Sequence, residues 1–576
     1  MIPPAAGDEP ARYASVVLTD PSLSHLDRAF TYRVPAGMPL EVGSVVRVPF
    51  RRRNREAVAV RLMGEPDVER PLDVRALLGP GLGPDLVRLC GWVAEHYLST
   101  LGEALAAAVP ERIVDEERRK PVAPRKIPAR SLEFLRAYRG GPALKRGLYG
   151  ARYAGFSWRP GSDRPEEIAA LVSAVASRGK GVLLLLPEVR FAGETVEAAR
   201  SFGEAVAWLG SDRSARERYR GWLDLRAGTK QIAVGGRAAV YAPVRDLGLV
   251  IVDDEANVSY KERRAPRINA RAVAAERARR AGAVLVAVGT PPSVEAGRAA
   301  ERGALTIVSA ARAQTMRSRP SVTVVDRSRD PSPLVPHAAT LRLCSQELAS
   351  KRRLVLLIHR AGEDARRAAA RAFRILRPER PARLDARTEP AALAAAVREA
   401  DVIFATPVIA KDLDLTGVGL VAILEADAAL SVPEYRGAEE AFATWWHVAP
   451  WAAGGGRVAI ETAQPEHAAI RALVRWDPDA LYRWEASRRK ETGYPPFAGL
   501  ARIDVPPARA QGLAEEVSGE PGLTVLGPLE RAGKAVVAVR APTRAALLER
   551  LGPLVARWRT AGEPFRVDVD PREVLP

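Results

Sequence analysis

The sequence predicts a multidomain α/β protein with a small β-rich N-terminal domain, two tandem lobes that each contain a parallel sheet, and a C-terminal α+β domain. Three observations support this prediction. The chain has 576 residues, of which 47% are apolar, so it can bury several separate cores. Short apolar strands alternate with helical segments in two successive regions, and such alternation is typical of doubly wound parallel sheets. Both ends of the chain combine short strands with turns that contain glycine and proline.

The elements follow one another in a clear order. The N-terminal region begins with ASVVLTD, FTYRVPAG, GSVVRVPF and AVAVRLMG as strands and continues as a helical pattern. A charged, proline-containing segment follows, which is typical of a linker or a reduced module. The first alternating region has strands in GVLLLLP, QIAVGG, LGLVIVDDE and AVLVAVGTPP, and the second has them in LVLLIHR, VIFATPV, LVAILEAD and RVAIETA. The tail mixes helices with the short strands LARIDVPP, LTVLGPLE, AVVAVRAP and FRVDVDP.

The composition excludes several classes of protein. The start, MIPPAAGDEPAR, lacks the cationic and apolar stretches of a secretory signal, and the apolar runs are too short for a membrane span. We therefore expect a cytoplasmic protein that does not associate with a membrane. The only cysteines, Cys90 and Cys344, lie far apart, and the six histidines form no HxxxH or HExxH pair. The sequence therefore predicts neither a disulfide framework nor a metal site.

The charge of the chain favours a polyanionic partner. The formal net charge is +18 and the isoelectric point is about 10.2, which attracts nucleic acid at long range. Arginine greatly outnumbers lysine, so a GC-rich genome or a merely solvated basic face is the alternative explanation. The clusters at 51–55, 118–126, 261–267 and 351–353 lie beside turns or element ends, where several phosphates can be contacted together. We therefore expect binding to nucleic acid, with nucleoid association.

Residues 249–261, LVIVDDEANVSYK, form an apolar strand that ends in Asp253, Asp254 and Glu255. Acids at this edge of a parallel sheet hold Mg²⁺ and position water in nucleotide-driven motors, but strand ends also expose acids without such a role. A motor also needs GxxxxGK[ST] near the start of the first lobe, where the sequence has ARYAGFSWRPGSDRPEEIAALV. Gly179-Lys180 leads into a strand and has no helix behind it. We therefore expect the three acids to be vestigial, with no catalytic residues.

The stretch VDDEANVSYKERRAPRINARAVAAERA, together with HLDRAFTYRVPAG and GSVVRVPF before it, resembles the PriA family of primosomal proteins. LLLPEV, VGTPPSVEA, LVLLIHRAG and ATPVIAKDLDLTGVGLVAILEADAAL are similar, in order, to helicase motifs Ia, III, IV and V of that family. VLGPLE and FRVDVDP resemble its C-terminal domain. The resemblance implies two tandem RecA-like helicase lobes between a domain that captures the 3′ end of a nascent strand and a C-terminal domain.

The resemblance also implies how the chain is divided into domains. Each boundary is an expectation that follows from the order of the stretches that resemble the family's motifs. The expected parts are 1–112, an N-terminal 3′-DNA-end-binding domain; 113–150, a linker or reduced winged-helix remnant; 151–312, helicase-like lobe 1; 313–487, helicase-like lobe 2; and 488–576, a C-terminal α+β DNA-binding domain.

The sequence departs from the family's pattern at the motor chemistry. Its phosphate loop is absent, Asp254 replaces a longer glutamate, and Ala256 replaces a histidine. Trp451 and Gly454 stand where the arginines of motif VI would fall, and no zinc-binding segment follows motif IV. Without a lysine and an arginine on the phosphates, ATP loses binding contacts and the transition state loses its partner. The resemblance therefore implies a degenerate, helicase-defective form in which ATP and zinc are no longer bound.

The family's 3′-end pocket corresponds to Phe30, Thr31 and Arg75 of this sequence, with Arg51 at the following turn. An aromatic plane can stack on a terminal base, and arginines can contact phosphates or base edges. Thr31 replaces an expected aspartate, which leaves selectivity for the base open. Phe30 and Tyr32 are equally compatible with ordinary packing on alternate faces of a strand.

The loop after the acids provides a second set of expected DNA contacts. In the family this loop couples DNA binding to ATP hydrolysis, and here it would only hold DNA. Arg271 could equally be a structural ion-pair partner. The residues carried over are Tyr260, Lys261, Arg267 and Arg271.

The sequence leaves three functions open. The first is a replication restart or primosome assembly protein that binds branched DNA or stalled forks and recruits replisome-loading factors, with single-strand-binding protein and the replicative helicase loader as partners. The second is an active ATP-dependent 3′→5′ helicase with an unconventional cradle of Gly155, Arg159 and Gly161. The third is a protein-binding scaffold without DNA affinity, which would show little salt dependence.

Overall fold

The computed structural model describes residues 12–574, apart from 120–122, 124, 161–163, 188–192, 290, 312–318, 331–333, 361, 408–412, 414 and 532. In these residues a β-rich sheet is followed by two parallel sheets and then by an antiparallel sheet that is flanked by helices. The predicted fold class is therefore confirmed.

The N-terminal sheet consists of Tyr13–Leu18 (β1), Phe30–Arg33 (β2), Val45–Phe50 (β3), Arg53–Met63 (β4), Leu72–Asp73 (β5) and Ala76–Leu77 (β6). β5 pairs with β2, and β6 follows almost directly and pairs with β3. One short segment therefore joins both edges of the sheet, and residues such as Val16, Tyr32 and Val48 fill its interior. The helices Pro84–His96 (α1) and Leu101–Ala108 (α2) pack beside it, and a capping box between Thr100 and Glu103 starts α2.

Most of the segment 113–150 packs with the first lobe, which does not favour a linker, and the alternative of a reduced winged-helix remnant stays a prediction. It contains Val114–Glu117 (α3), Tyr138–Arg139 (β7) and Gly141–Tyr149 (α4). Leu135, Leu144 and Leu148 share an apolar core with Phe156 and Trp158 of the first parallel sheet. The boundary expected after residue 150 therefore falls inside a continuous core.

The first parallel sheet consists of Ala154–Arg159 (β8), Gly181–Leu185 (β9), Val206–Trp208 (β10), Ile232–Gly235 (β11), Leu247–Val252 (β12), Val284–Val288 (β13) and Thr306–Ala310 (β14), with β7 added antiparallel to β14. The strand order is β10-β11-β9-β12-β13-β8-β14-β7. Its helices are Arg164–Ala176 (α5), Gly193–Arg200 (α6), Ala215–Ala227 (α7), Ala270–Ala281 (α8) and Val294–Glu301 (α9). The central strands are continuously apolar because helices cover both faces.

The second parallel sheet consists of Ser321–Asp326 (β15), Arg353–Ile358 (β16), Pro381–Leu384 (β17), Val402–Ala405 (β18), Val418–Leu424 (β19) and Arg457–Thr462 (β20). The order is β15-β20-β19-β16-β18-β17. The helices of this lobe are Ala338–Ala349 (α10), Glu363–Leu376 (α11), Pro390–Glu399 (α12), Ala426–Leu430 (α13), Gly437–Val448 (α14) and Ala468–Arg475 (α15).

The helix Pro478–Thr492 (α16) leads into the C-terminal domain. That domain has the strands Gly499–Val505 (β21), Thr524–Arg531 (β22), Lys534–Ala541 (β23) and Arg566–Val569 (β24), with the helices Pro507–Ser518 (α17) and Arg544–Thr560 (α18). One apolar cluster runs from Val93 of α1 through Tyr260 to Trp558 of α18, so the N-terminal domain, the first lobe and the C-terminal domain pack together. No helix among the described residues is long and apolar enough to cross a membrane.

Candidate nucleotide site and nucleic-acid interface

β12 delivers Asp253 to the C-terminal edge of the first parallel sheet, where the residue is 3% exposed. Its carboxylate is ion-paired with Arg164 at the start of α5 and accepts a hydrogen bond of 2.9 Å from the hydroxyl of Thr195. In a nucleotide-driven motor this acid would face Mg²⁺. Here a guanidinium already neutralises it.

The start of α5 is also unfavourable for phosphates. Glu166 and Glu167 lie in its first turn, where they oppose the attraction of a helix N-terminus for anions. Arg159, at the end of β8, binds both carboxylate oxygens of Asp479 at 2.8 and 2.9 Å. Gly155 lies inside β8, and a Cβ there would come within 2.7 Å of the Leu305 side chain.

This packing does not favour the unconventional cradle that the sequence left open, and the cradle stays a prediction. Of its three members, Arg159 is engaged by an ion pair and Gly155 supports close packing. The third, Gly161, lies outside the described residues.

Asp254 and Glu255 also have protein partners. Asp254 accepts a hydrogen bond of 2.7 Å from the side-chain amide of Asn257. Glu255 is 2% exposed, lies 2.8 Å from Arg271 Nη1, and accepts a hydrogen bond of 2.7 Å from the backbone N–H of Ser293. Because all three acids are engaged and the start of α5 is acidic, the described residues of this site do not fit Mg²⁺·ATP.

The residues also do not fit the family's zinc. Cys90 and Cys344 are buried in different domains, and burial raises the pKa of each thiol to about 12. Zinc needs thiolates, usually several of them at one place. At the expected position of motif VI, Trp451 is 3% exposed and packs in the core of the second lobe.

The loop after β12 connects domains, and this corrects the expectation for Tyr260 and Lys261. Tyr260 is 1% exposed, and its hydroxyl lies 2.5 Å from the carbonyl oxygen of Asp253. Lys261 Nζ binds Asp568 at 2.6 Å and the backbone oxygen of Val569 at 2.8 Å, both in the C-terminal domain. Burial lowers the pKa of Lys261, against the effect of Asp568. Neither side chain presents a surface to a phosphate.

Arg267 and Arg271 are held in the same way. Arg267 donates a hydrogen bond of 3.2 Å to the backbone oxygen of Val567 and is only partly exposed. Arg271 pairs with Glu255 at 2.8 Å and with Glu295 at 3.3 Å, so the alternative of a structural ion-pair partner holds. Burial opposes the charge of Arg271, yet Glu295 and Glu255 raise its pKa further above the ordinary value.

The exposed cations of this loop are Arg263 and Arg264, which the comparison with the family did not single out. The carboxylate of Glu262 accepts hydrogen bonds from both of their backbone N–H groups, at 2.7 and 3.1 Å. Glu262 also pairs with Arg237 at 3.2 Å. The tip of the loop is thus fixed while two guanidinium groups face solvent.

The N-terminal domain brings together a patch of two phenylalanines and two arginines, which we call the aromatic–arginine patch: Arg28, Phe30, Phe50 and Arg51. The rings of Phe30 and Phe50 meet edge to face with centroids 5.0 Å apart. The Arg28 guanidinium lies 4.9 Å from the Phe30 centroid, and that of Arg51 lies 5.7 Å from the Phe50 centroid. Phe30 also packs against the interior of the sheet, as does Tyr32, which is 4% exposed.

Thr31 lies on the opposite face of β2 from Phe30, so the two residues do not form one wall. The hydroxyl of Thr31 donates a hydrogen bond to the carboxylate of Asp67, so an acid lies beside the position where the resemblance implied one. Arg75 is exposed on the segment that closes the sheet, and its backbone N–H donates to Arg47 O at 2.8 Å.

The sequence-based prediction of the 3′-end pocket did not include Phe50 or Asp67, because neither residue is adjacent to Phe30 or Thr31 in sequence or in strand order. The closure of the sheet by β5 and β6 brings β3 close to β2. The available signal was an arginine beside each phenylalanine, in the stretches LDRAF and VPFRR. Contact of the patch with DNA stays a prediction.

Several known proteins are similar to this chain in sequence. A family model described as a 3′ DNA-binding domain matches residues 15–110. The replication restart protein PriA of Treponema pallidum is 27% identical over 567 residues, which covers 83% of this chain and 85% of that protein. The probable replication restart protein PriA of Mycobacterium tuberculosis is 27% identical over 569 residues, with coverage of 86% and 87%. For PriA of Bacillus subtilis the match is 25% identical, covers 62% of this chain and spans only 54% of that protein.

Solved structures give more distant likenesses. Dbp5 of S. cerevisiae, bound to RNA and ADP BeF3, is 12% identical with a TM-score of 0.39, covering 60% of this chain and 97% of that chain. The E. coli DExH-box NTPase HrpB is 14% identical with a TM-score of 0.38, covering 56% of this chain and 40% of that chain.

Proposed function

This chain belongs to the PriA family, and from that premise we propose that it binds branched DNA or stalled replication forks and supports the loading of the replisome without unwinding DNA. The main support for the proposal is the ion pair between Asp253 and Arg164 at the start of α5, which neutralises the carboxylate. A protein that keeps the helicase lobes without a usable phosphate site would act through binding.

The aromatic–arginine patch is the proposed contact for a DNA 3′ end. A terminal base can stack on Phe30 or Phe50 at the ends of β2 and β3, while Arg28 and Arg51 contact the neighbouring phosphates. Asp67, held by Thr31 on the other face of β2 from Phe30, is exposed and is a separate proposed acceptor for a hydrogen bond from DNA.

The proposed protein partners are single-strand-binding protein and the loading machinery of the replicative helicase, and the proposed location is the nucleoid. Membership of the family supports these proposals. The exposed Arg263 and Arg264 are a proposed second contact with the fork backbone.

The test is fluorescence anisotropy with forked DNA whose leading-strand arm ends at the junction in a free 3′-hydroxyl. A matched fork carries a 3′-phosphate at the same end, and a third has a gap of several nucleotides. Tighter binding to the free 3′-hydroxyl is expected, and equal affinity for all three forks would remove end recognition.

The absence of a motor needs its own measurement. Phosphate release from ATP is expected to stay at background with and without fork DNA, and a DNA-stimulated turnover would overturn the proposal. Affinity that does not fall with salt would favour a protein scaffold without a DNA surface.

A further inference from the structure

A buried network of charges crosses the boundary between the two parallel-sheet lobes, at the point where a motor of this architecture opens and closes. We call it the lobe-bridging network, and it combines carboxylates and guanidinium groups from three parts of the chain. Its members are Glu255, Arg271, Ser293 and Glu295 from the first lobe, Arg436 and Glu439 from the second, and Glu485 and Arg489 from α16.

The first lobe contributes a closed arrangement around the start of α9. Ser293 donates its backbone N–H and its hydroxyl to the two carboxylate oxygens of Glu255, at 2.7 and 2.8 Å. Arg271 lies within 2.6 Å of Ser293 Oγ and reaches Glu295 at 3.3 Å. Glu255, the third of the acids that follow β12, is thus a structural member of the network.

The second lobe binds the same helix start. Glu439 accepts a hydrogen bond of 2.8 Å from the backbone N–H of Val294, so carboxylates of both lobes meet at the N-terminus of α9. Arg436 pairs with Glu295 across the boundary and with Glu439 of its own lobe at 3.3 Å.

α16 closes the network from a third side. Arg489 is 2% exposed and binds Glu439 at 2.7 Å and Glu485 at 3.2 Å. The ring of Tyr435, next to Arg436, stacks on Tyr494 with centroids 5.0 Å apart. All of these groups are therefore fixed from several directions.

Close packing without charge supports the same contact. A Cβ on Gly297 of α9 would come within 2.3 Å of the Tyr482 ring on α16, so the two helices touch at this glycine. Arg298 of α9 lies over the Phe497 ring at 5.2 Å. Separation of the lobes would expose this apolar contact and leave buried ions without partners, which is strongly unfavourable.

We propose that the lobe-bridging network holds the two lobes as one rigid unit in a closed arrangement that needs no nucleotide. A motor must pass between open and closed states, whereas this chain would present its surfaces in one fixed geometry. The use of that geometry to place the arms of a fork rests on the proposed function. The rigidity itself does not depend on DNA.

The experiment is single-molecule energy transfer on the full chain, with dyes on cysteines introduced at Arg279 of α8 and Arg367 of α11, whose side chains are 59% and 75% exposed. The native cysteines are buried and should not react. A single narrow distribution is expected for the free protein, unchanged by ADP with beryllium fluoride or by fork DNA. A broad or double distribution, or a nucleotide-dependent shift, would overturn the proposal.

Variants test whether the network is the cause. Glu295→Gln is expected to broaden the distribution, and Gly297→Leu should do so without altering a charge. Glu197→Gln, which disturbs only an exposed pair with Arg200 on α6, is the matched control and should leave the distribution narrow. If both network variants behave as the control does, the network is not the lock. If a variant does not fold, the nucleotide series on the unmodified protein decides the question, and a failure to bind DNA would affect only the proposed function.

Discussion

At the residue scale, Arg164 controls the state of Asp253. A buried carboxylate that loses its cationic partner is destabilising by about 3–5 kcal/mol, and the lower end applies here because Arg164 is 33% exposed. Arg164→Ala is therefore expected to lower the free energy of unfolding by about 3 kcal/mol. Chemical denaturation measures this change.

The control for Arg164→Ala is Arg200→Ala, which removes an exposed ion pair on α6 and should have little effect. Asp253→Asn in the Arg164→Ala background should recover most of the lost stability, because no buried charge then remains unpaired. If Arg164→Ala is as mild as the control, Asp253 does not depend on its partner.

Phe50, at the end of β3 and beside Arg51, is a residue at which stacking on a base can be tested, although like Phe30 it also packs against the interior of the sheet. Loss of one stacking contact costs about 1–3 kcal/mol of binding. Phe50→Ala should therefore weaken binding to forks with a free 3′-hydroxyl by about that amount and reduce the preference over the 3′-phosphate fork. Tyr149→Ala removes a half-exposed aromatic of α4 and should change neither quantity. An equal loss on both forks would place Phe50 outside the end-binding site.

At the element scale, the loop between β12 and α8 separates a structural side from a binding side. Lys261 and Arg267 face the C-terminal domain, whereas Arg263 and Arg264 face solvent. Lys261→Met should lower the melting temperature, because Asp568 would be left buried without its partner. The variant should have little effect on how DNA affinity depends on salt.

The double variant Arg263→Ala/Arg264→Ala should keep the melting temperature. It should reduce the slope of log affinity against log salt by about 2, or one for each phosphate contact. If Lys261→Met instead reduced the salt slope and the double variant lowered the melting temperature, Lys261 would be the DNA contact and the two arginines would be structural.

The same loop shows which features of the structure could be predicted from the sequence and which could not. The alternating apolar strands predicted both parallel sheets, because a strand covered on both faces leaves a direct signal in its own residues. The partners of Tyr260, Lys261 and Arg271 left no such signal. Those partners come from distant parts of the chain, such as Asp568 and Glu295, and only the packed fold brings them together. A family motif therefore located the loop correctly but could not tell its buried cations from its exposed ones.

At the scale of the whole molecule, ion pairs join domains that are far apart in sequence. Arg559 of α18 binds Asp27 at 3.0 Å, and Arg572 binds Glu440 of the second lobe at 2.9 Å. Together with the lobe-bridging network, these contacts connect the N-terminal domain, both lobes and the C-terminal domain. We therefore expect cooperative unfolding of much of the chain, with a stability that depends on the ionisation of the buried acids.

The pH dependence of that stability follows from Glu295. Burial opposes its ionisation, but Arg436 and Arg271 outweigh this effect and lower the pKa of Glu295 below its ordinary value of 4.5. A carboxyl group whose pKa is lower in the folded state stabilises the fold above the pKa of the unfolded chain and loses that contribution as the pH falls below it. When the pH is lowered from 6 to below 4.5, the melting temperature of the unmodified protein should therefore fall more steeply than that of the Glu295→Gln variant.

Glu485 makes a contribution of the opposite sign to the pH dependence of stability. Burial raises its pKa above the ordinary value, in spite of the effect of Arg489. The total pH profile therefore contains contributions of both signs, and the comparison with Glu295→Gln isolates one of them. The two melting curves should converge in acid, since protonation removes the charge that the variant never had. Parallel curves over the whole range would mean that Glu295 makes no charged contribution to the joining of the lobes.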